Sequence, residues 1–299
     1  MTLLEDRQAV VASTPVRSSS RLHGRRQTPL DTGRRPGWGH RLRRFVAPIG
    51  WASLGVAAFV GLWALIAWRS EGVPTPINMM SALRKLLVKP ITDNGPNGKG
   101  ALLLVWASLF RVLKGFTVAA LVGIPLGLLI GSVKRAWMAV NPLVQLLRPV
   151  SPLAWYPLGL VALHDAPKAQ TFVIFITALW PVVVNTAAGA ASVPLDHANV
   201  ARVFRFSRWR RIRHVLLPAA LPGVVTGLRL SMGVAWMVIV AVEMLAGASG
   251  IGGFVWEAYN ASNLAAVTAA IMLIGAVGLT MDSGFQVIGR RVAPGEEKS

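Results

Sequence analysis

Residues 199–218 read NVARVFRFSRWRRIRHVLLP, an arginine-rich stretch set between two long apolar runs. Val200, Val203 and Phe204 recur at helical spacing. Trp209, Ile212 and Val215 recur again after the phase slips across Arg205, Phe206 and Ser207. The pattern predicts two short helices joined by a bend. Ser207 suits the N-cap of the second, because a seryl oxygen accepts a first-turn backbone N–H. Such a unit turns an apolar face to a partner and its arginines to water or lipid phosphate. Two origins fit equally well: a helix lying on a bilayer surface, or a docking element.

The flanking runs set the class. The chain has 299 residues, 54% hydrophobic and 14% charged, where ordinary soluble domains carry about 25% charged residues. Charge is expensive in a bilayer, so the deficit points there. Apolar stretches occupy 45–68, 109–133, 136–163, 169–191, 217–245 and 264–288. A spanning helix needs about 20 residues, so six spans are expected. The third carries Arg148 and is interrupted by Pro142, Pro149, Pro152 and Pro157. A broken span persists only where protein or a water-filled cavity surrounds the freed backbone. The proline- and glycine-rich segment 69–100 predicts an external connection with one short helix near 78–88. The glycine-rich core of the second span suits close helix packing. The expected fold is all-α and polytopic, with about six transmembrane helices.

Net charge is +19, and its distribution orients the spans. Ten arginines lie in the first 47 residues, two cations at 134–135, six arginines from Arg202 to Arg213, and three cations after the last span. The opposite side holds Arg69, Arg84, Lys85, Lys89, Lys99 and Lys168. The positive-inside rule then places both termini in the cytoplasm. The resulting division is a basic disordered cytoplasmic arm at 1–47, a transmembrane domain at 48–291 with a cytoplasmic loop at 194–217, and a tail at 292–299. Arg34-Arg35 raises a twin-arginine signal. The following run is too long for one and ends in Trp68-Arg69-Ser70, so it reads as a retained anchor. Basic chains also bind nucleic acid, but here the charges cluster between apolar runs rather than over one surface, and no nucleic-acid partner is expected.

Catalytic patterns are missing. Without cysteine there are no disulfides and no thiol chemistry. No phosphate-binding G-x-x-x-x-G-K-[ST] and no H-E-x-x-H occurs. Gly247 to Ile251 lacks the frame of a nucleophile elbow, and the five histidines are scattered. Neither an enzymatic activity nor a cofactor is expected.

Ionisable residues inside spans mark pathways. Arg229 and Glu243 are 14 residues apart in the fifth stretch, which puts them about 40° apart on one helix face and roughly 21 Å apart along it. Trp236 lies midway, and Arg148 sits in the broken span. An arginine beside a pore suits a small anion. The competing readings are that Arg229 meets a helix-end carbonyl and that Glu243 caps a turn before Gly247.

The 199–218 stretch resembles the cytoplasmic loop of ABC importer permeases, E-A-A-x3-G-x9-I-x-L-P. The family Glu falls on Asn199, the alanines on Val200 and Ala201, the Gly on Arg205, the Ile on Val215, and Leu-Pro on Leu217-Pro218. The spacing is kept while the Glu and Gly are absent. Arginine adopts the bend that Gly allows only poorly, which shifts the turn toward Phe206-Ser207. Asn199–Ser207, Thr226–Arg229, Trp236, Ala241–Leu245 and Gly250–Asn260 look like the nitrate-type branch, near the sulfonate and taurine permeases. Ser108 to Phe116 and Gly123 to Gly127 look like the same family, and the resemblance covers about 50–293.

The resemblance implies the ABC importer permease fold in a bacterial inner membrane. It implies a second permease chain, expected to be a copy, two ATP-binding subunits, and an external solute-binding protein, with ATP held by the partners. Asn199, Ala201, Arg202, Arg205, Ser207, Leu217 and Pro218 become the ATPase-coupling residues. Nitrate is the foremost substrate, with cyanate, bicarbonate, sulfonates and taurine as alternatives. The rival class is a self-sufficient secondary transporter or channel.

Overall fold

The computed structural model describes residues 38–70, 72–88, 90–92, 100–193, 204 and 206–292. Arm residues 1–37 and tail residues 293–299 lie outside them, as do Asn199, Ala201, Arg202 and Arg205. The chain divides into two compact units, Met1–Ala57 and Ala58–Ser299. The described part of the first is the beginning of helix α1 (Trp38–Arg69). The second holds the rest of the fold.

The described residues are helical, with no strand among them. After α1 come α2 (Pro76–Val88), α3 (Ala101–Ser132), α4 (Lys134–Leu147), α5 (Trp155–Leu163) and α6 (Ala166–Ala191). Beyond the loop follow α7 (Arg208–Arg211), α8 (Leu217–Ala246), α9 (Ile251–Asn260) and α10 (Leu264–Val292). Helices α1, α3, α6, α8 and α10 are each long and apolar enough to cross a bilayer. The sixth expected span is α4 and the Pro152–Leu163 segment, bent by 88°. Pro149 and Pro152 remove backbone donors, and Ser151 before Pro152 is extended at ψ 129°, as a residue preceding proline prefers. Two boundaries differ from expectation. The second span starts at Ala101 rather than 109, so Arg111 stands ten residues inside a helix instead of at its edge. The short helix expected near 78–88 begins at Pro76, with proline at a helix start where a missing N–H costs nothing.

Small residues bring α3, α6 and α8 together. Bilayer tails are as apolar as leucine, so membrane helices associate by close packing rather than by leaving water. On α3, Gly115, Gly123, Gly127 and Gly131 form one stripe against Ile174, Val182, Thr186 and Ala187 of α6. A Cβ at Gly127 would stand 2.8 Å from the Val183 carbonyl oxygen. An adjoining side of α6 meets α8, where a Cβ at Gly223 would stand 2.6 Å from the Asn185 carbonyl oxygen. Ser231 of α8 donates to the Ala178 carbonyl of α6 at 2.6 Å. The core of Val112, Ala119, Ile174, Ala235, Ile239 and Ala270 closes around this layer. Within the second unit α1 stays outside the core, with Phe59, Leu62, Leu65 and Trp68 exposed. Its Trp63 indole donates to the Pro74 carbonyl at 3.1 Å.

Candidate functional site

Three places carry the polar chemistry, and they lie apart along the bundle. The first is the junction of the loop with α8. Ser207 Oγ accepts from the Arg210 backbone N–H at 3.3 Å, as an N-cap does. The Arg210 guanidinium stands 5.8 Å from the Phe206 ring centroid. Phe204 and Trp209 are 69% and 71% exposed, an apolar face open to a partner. The second short helix is only Arg208–Arg211, because Ile212–Leu216 continues as a π-helix. Pro218 supplies the reason. It has no N–H, and its ring would crowd the carbonyl four residues back. The wider turn instead closes with the Leu217 N–H on the Ile212 carbonyl. A cavity of about 420 Å³ separates Ile212 and Leu216 from Gly131 and Ala190 at the ends of α3 and α6.

The second place is a closed knot around Glu243, whose side chain has no solvent exposure. One carboxylate oxygen accepts from Arg111 Nη1 at 2.6 Å. The other accepts from Ser108 Oγ at 2.8 Å and from the Gly252 N–H at 3.0 Å. The same Arg111 Nη1 donates to the Ser249 carbonyl at 2.6 Å, and Ser108 Oγ accepts from the Ile251 N–H at 2.9 Å. Gly250 and Gly252 lie so close to Glu243 that a Cβ on either would collide with its side chain. The turn into this loop is made by Gly247 at φ 59°, a left-handed conformation that glycine adopts without strain. Three elements, α3, α8 and the start of α9, are thus tied at one point. Every strong acceptor of the carboxylate is occupied, which suits a clasp.

The third place is the Arg229–Asp282 pair between α8 and α10. Arg229 Nε and Nη2 donate to the two Asp282 oxygens at 2.5 and 2.8 Å, a bidentate fork. Gln286 Nε2 donates to Asp282 Oδ2 at 2.9 Å. The pair is far from closed, with side chains 41% and 40% exposed. A cavity of about 30 Å³ beside it is shared with Trp236, Gly278 and Phe285. Trp236 is buried and donates its indole N–H to the Ile274 carbonyl at 3.0 Å.

The expected single face of Arg229, Trp236 and Glu243 therefore separates. Arg229 and Trp236 share a cavity, while Glu243 turns toward α3 and is enclosed. Arg229 meets a carboxylate rather than a helix-end carbonyl. Arg148 is exposed at the end of α4, where its backbone N–H donates to the Val144 carbonyl. Sequence reasoning missed Ser108, Arg111, Asp282 and Gln286. The signal was present: Asp282 is the one acid in 264–292, and an acid at that depth calls for a cation. No group of three or more His, Cys, Asp or Glu that could hold a metal ion occurs among the described residues.

The described residues form an all-helical bundle of glycine-packed apolar spans, the architecture of a polytopic membrane protein. Residues 123–294 match the family model described as binding-protein-dependent transport system inner membrane component, and the chain belongs to that family of ABC importer permeases. It is 42% identical over 247 residues to the nitrate import permease protein NrtB of Synechocystis sp., covering 82% of this chain and 90% of that protein. It is 40% identical over 251 residues to the bicarbonate transport system permease protein CmpB of Synechococcus elongatus, covering 82% and 88%. Among solved structures, an inward-facing MetNI methionine ABC transporter superposes with a TM-score of 0.59 over 64% of this chain and 95% of that one, at 17% identity. That likeness speaks for the fold.

Proposed function

We propose that the chain is the permease of an ATP-driven importer for a small oxyanion, with nitrate as substrate. The observation that carries this reading is the 42% identity to a nitrate permease across 90% of that protein's length. Bicarbonate is the second reading, favoured by 40% identity to a bicarbonate permease. Both are planar monoanions with three oxygens, and Arg229 offers a guanidinium inside a span for either.

Two copies of the chain form the pore, with both termini cytoplasmic. Two ATP-binding subunits dock on the 194–217 loops through the exposed Phe204 and Trp209, and an external binding protein delivers the anion. Arg229 and Arg148 line its path. The permease itself hydrolyses nothing and holds no cofactor. Purified permease, ATPase and binding protein in vesicles test the substrate directly. ATP-dependent uptake of labelled nitrate, outcompeted weakly by bicarbonate, is expected. Uptake of bicarbonate in preference to nitrate selects the second reading, and uptake of neither rejects both.

A further inference from the structure

Among the described residues, the long spans contain two acids, Glu243 and Asp282. Each pairs with an arginine, yet one pair is sealed and the other is open. Depth makes the open pair informative. Arg229 is twelve residues beyond Leu217 and 17 before Ala246, or about 18 and 26 Å from those ends at 1.5 Å per residue. Asp282 is 18 residues beyond Leu264 and ten before Val292, or about 27 and 15 Å from them. With each helix centred on a hydrocarbon core about 30 Å thick, both groups fall inside it. Lipid does not solvate a half-exposed ion pair at such depth. Exposed Lys114 of α3 differs, since its flexible stem can carry the ammonium toward an interface. The Arg229 head is fixed by two hydrogen bonds and cannot follow. The face carrying it therefore looks onto water or protein.

The shape of the pair names its ligand. A carboxylate presents an O–C–O edge of single negative charge to Nε and Nη2. Nitrate and bicarbonate present an edge of the same charge and nearly the same width. Room is left on the open side, where a Cβ at Gly233 would meet nothing within 4 Å. The cavity behind the pair, about 30 Å³, holds no more than a water. That cavity cannot take an anion beside Asp282, so an anion reaching the fork from the open side takes the place of Asp282. We propose that Arg229 is an anion-binding residue, with Asp282 as its displaceable internal counter-ion, and that the ligand is a planar three-oxygen monoanion. The proposal rests on the small-oxyanion reading above. When the anion leaves, Asp282 returns to the fork, so no naked cation remains in the membrane and no anion stays trapped on it.

The test uses the permease–ATPase complex in lipid nanodiscs without its binding protein, titrated with labelled sodium nitrate and read by NMR line broadening. A mere clasp between α8 and α10 would respond alike to loss of either partner. A counter-ion responds oppositely. Asp282→Asn is expected to tighten nitrate binding about tenfold, the factor given by 1.4 kcal/mol of lost competition. Arg229→Gln is expected to abolish it, and Arg229→Lys, which keeps charge without the fork, to weaken it while the complex still assembles and hydrolyses ATP. Sodium bicarbonate competes and sodium chloride competes poorly. Equal effects of Asp282→Asn and Arg229→Gln overturn the proposal. So does chloride binding as well as nitrate, or separation of the two permease chains in both variants, which marks the face as a subunit contact. Wild-type uptake in vesicles separates the failures. No nitrate or bicarbonate uptake rejects the oxyanion reading, whereas normal uptake with binding indifferent to Arg229→Gln rejects the counter-ion alone.

Discussion

Glu243 is held in a place without solvent because three donors reach its carboxylate, Arg111, Ser108 and the Gly252 N–H, while the Ser249 carbonyl accepts from Arg111 and fixes it from behind. Removing one partner of a buried ion pair costs about 3–5 kcal/mol, since the other charge is stranded. Arg111→Met should therefore lower the thermal unfolding temperature of the purified complex markedly. Arg111→Met with Glu243→Gln should recover part of the loss, because residues sharing one network are not additive. Two equal, additive losses would show that the clasp is not coupled. At this scale the sequence was half legible. Glu243 and Arg229 were visible as charges within an apolar run. Their partners were not, because Arg111 lies 132 residues from Glu243 and Asp282 lies 53 from Arg229, and no local pattern encodes such pairings.

At the scale of elements, Pro218 and Ser207 set how the loop meets α8. Pro218→Ala restores the missing N–H and relieves the crowding that favours the π turn at Ile212–Leu216. Reverting that turn to α geometry rotates the loop by about 100° relative to α8. ATP hydrolysis should persist while transport per ATP falls, measured together in vesicles; unchanged coupling would contradict the role of the turn. Ser207→Ala removes the cap and should weaken the short helix by about 1 kcal/mol, seen as poorer ATPase retention during purification. Gly127→Val would drive a side chain into Thr186 and the Val183 carbonyl. The α3–α6 layer should then fail to close, giving little protein that survives extraction as a monodisperse species. The glycine stripe and the proline-broken span were legible because glycine spacing and proline position act through the local backbone. The π turn was not, since the hydrophobic spacing around 209–216 reads as ordinary helix.

For the whole molecule, the described residues hold five helices long and apolar enough to cross a membrane, and six spans when the bent pair is counted as one, against the about six that hydropathy predicts. Sidedness rests on the positive-inside bias, and the absence of native cysteine makes it simple to check. Ser262→Cys, in the α9–α10 turn, should react with an impermeant maleimide on intact cells. Ser207→Cys should react only after the membrane is opened. The reverse order would invert the topology and remove the ATPase from the loop. As the permease of an ATP-driven importer, the chain should move its anion only when partner subunits hydrolyse ATP. The most direct measurement is nitrate accumulation in vesicles holding the permease alone, then with its ATPase, binding protein and ATP. Accumulation in the complete, ATP-supplied system and in no other is predicted; accumulation by the permease alone along an ion gradient would contradict it.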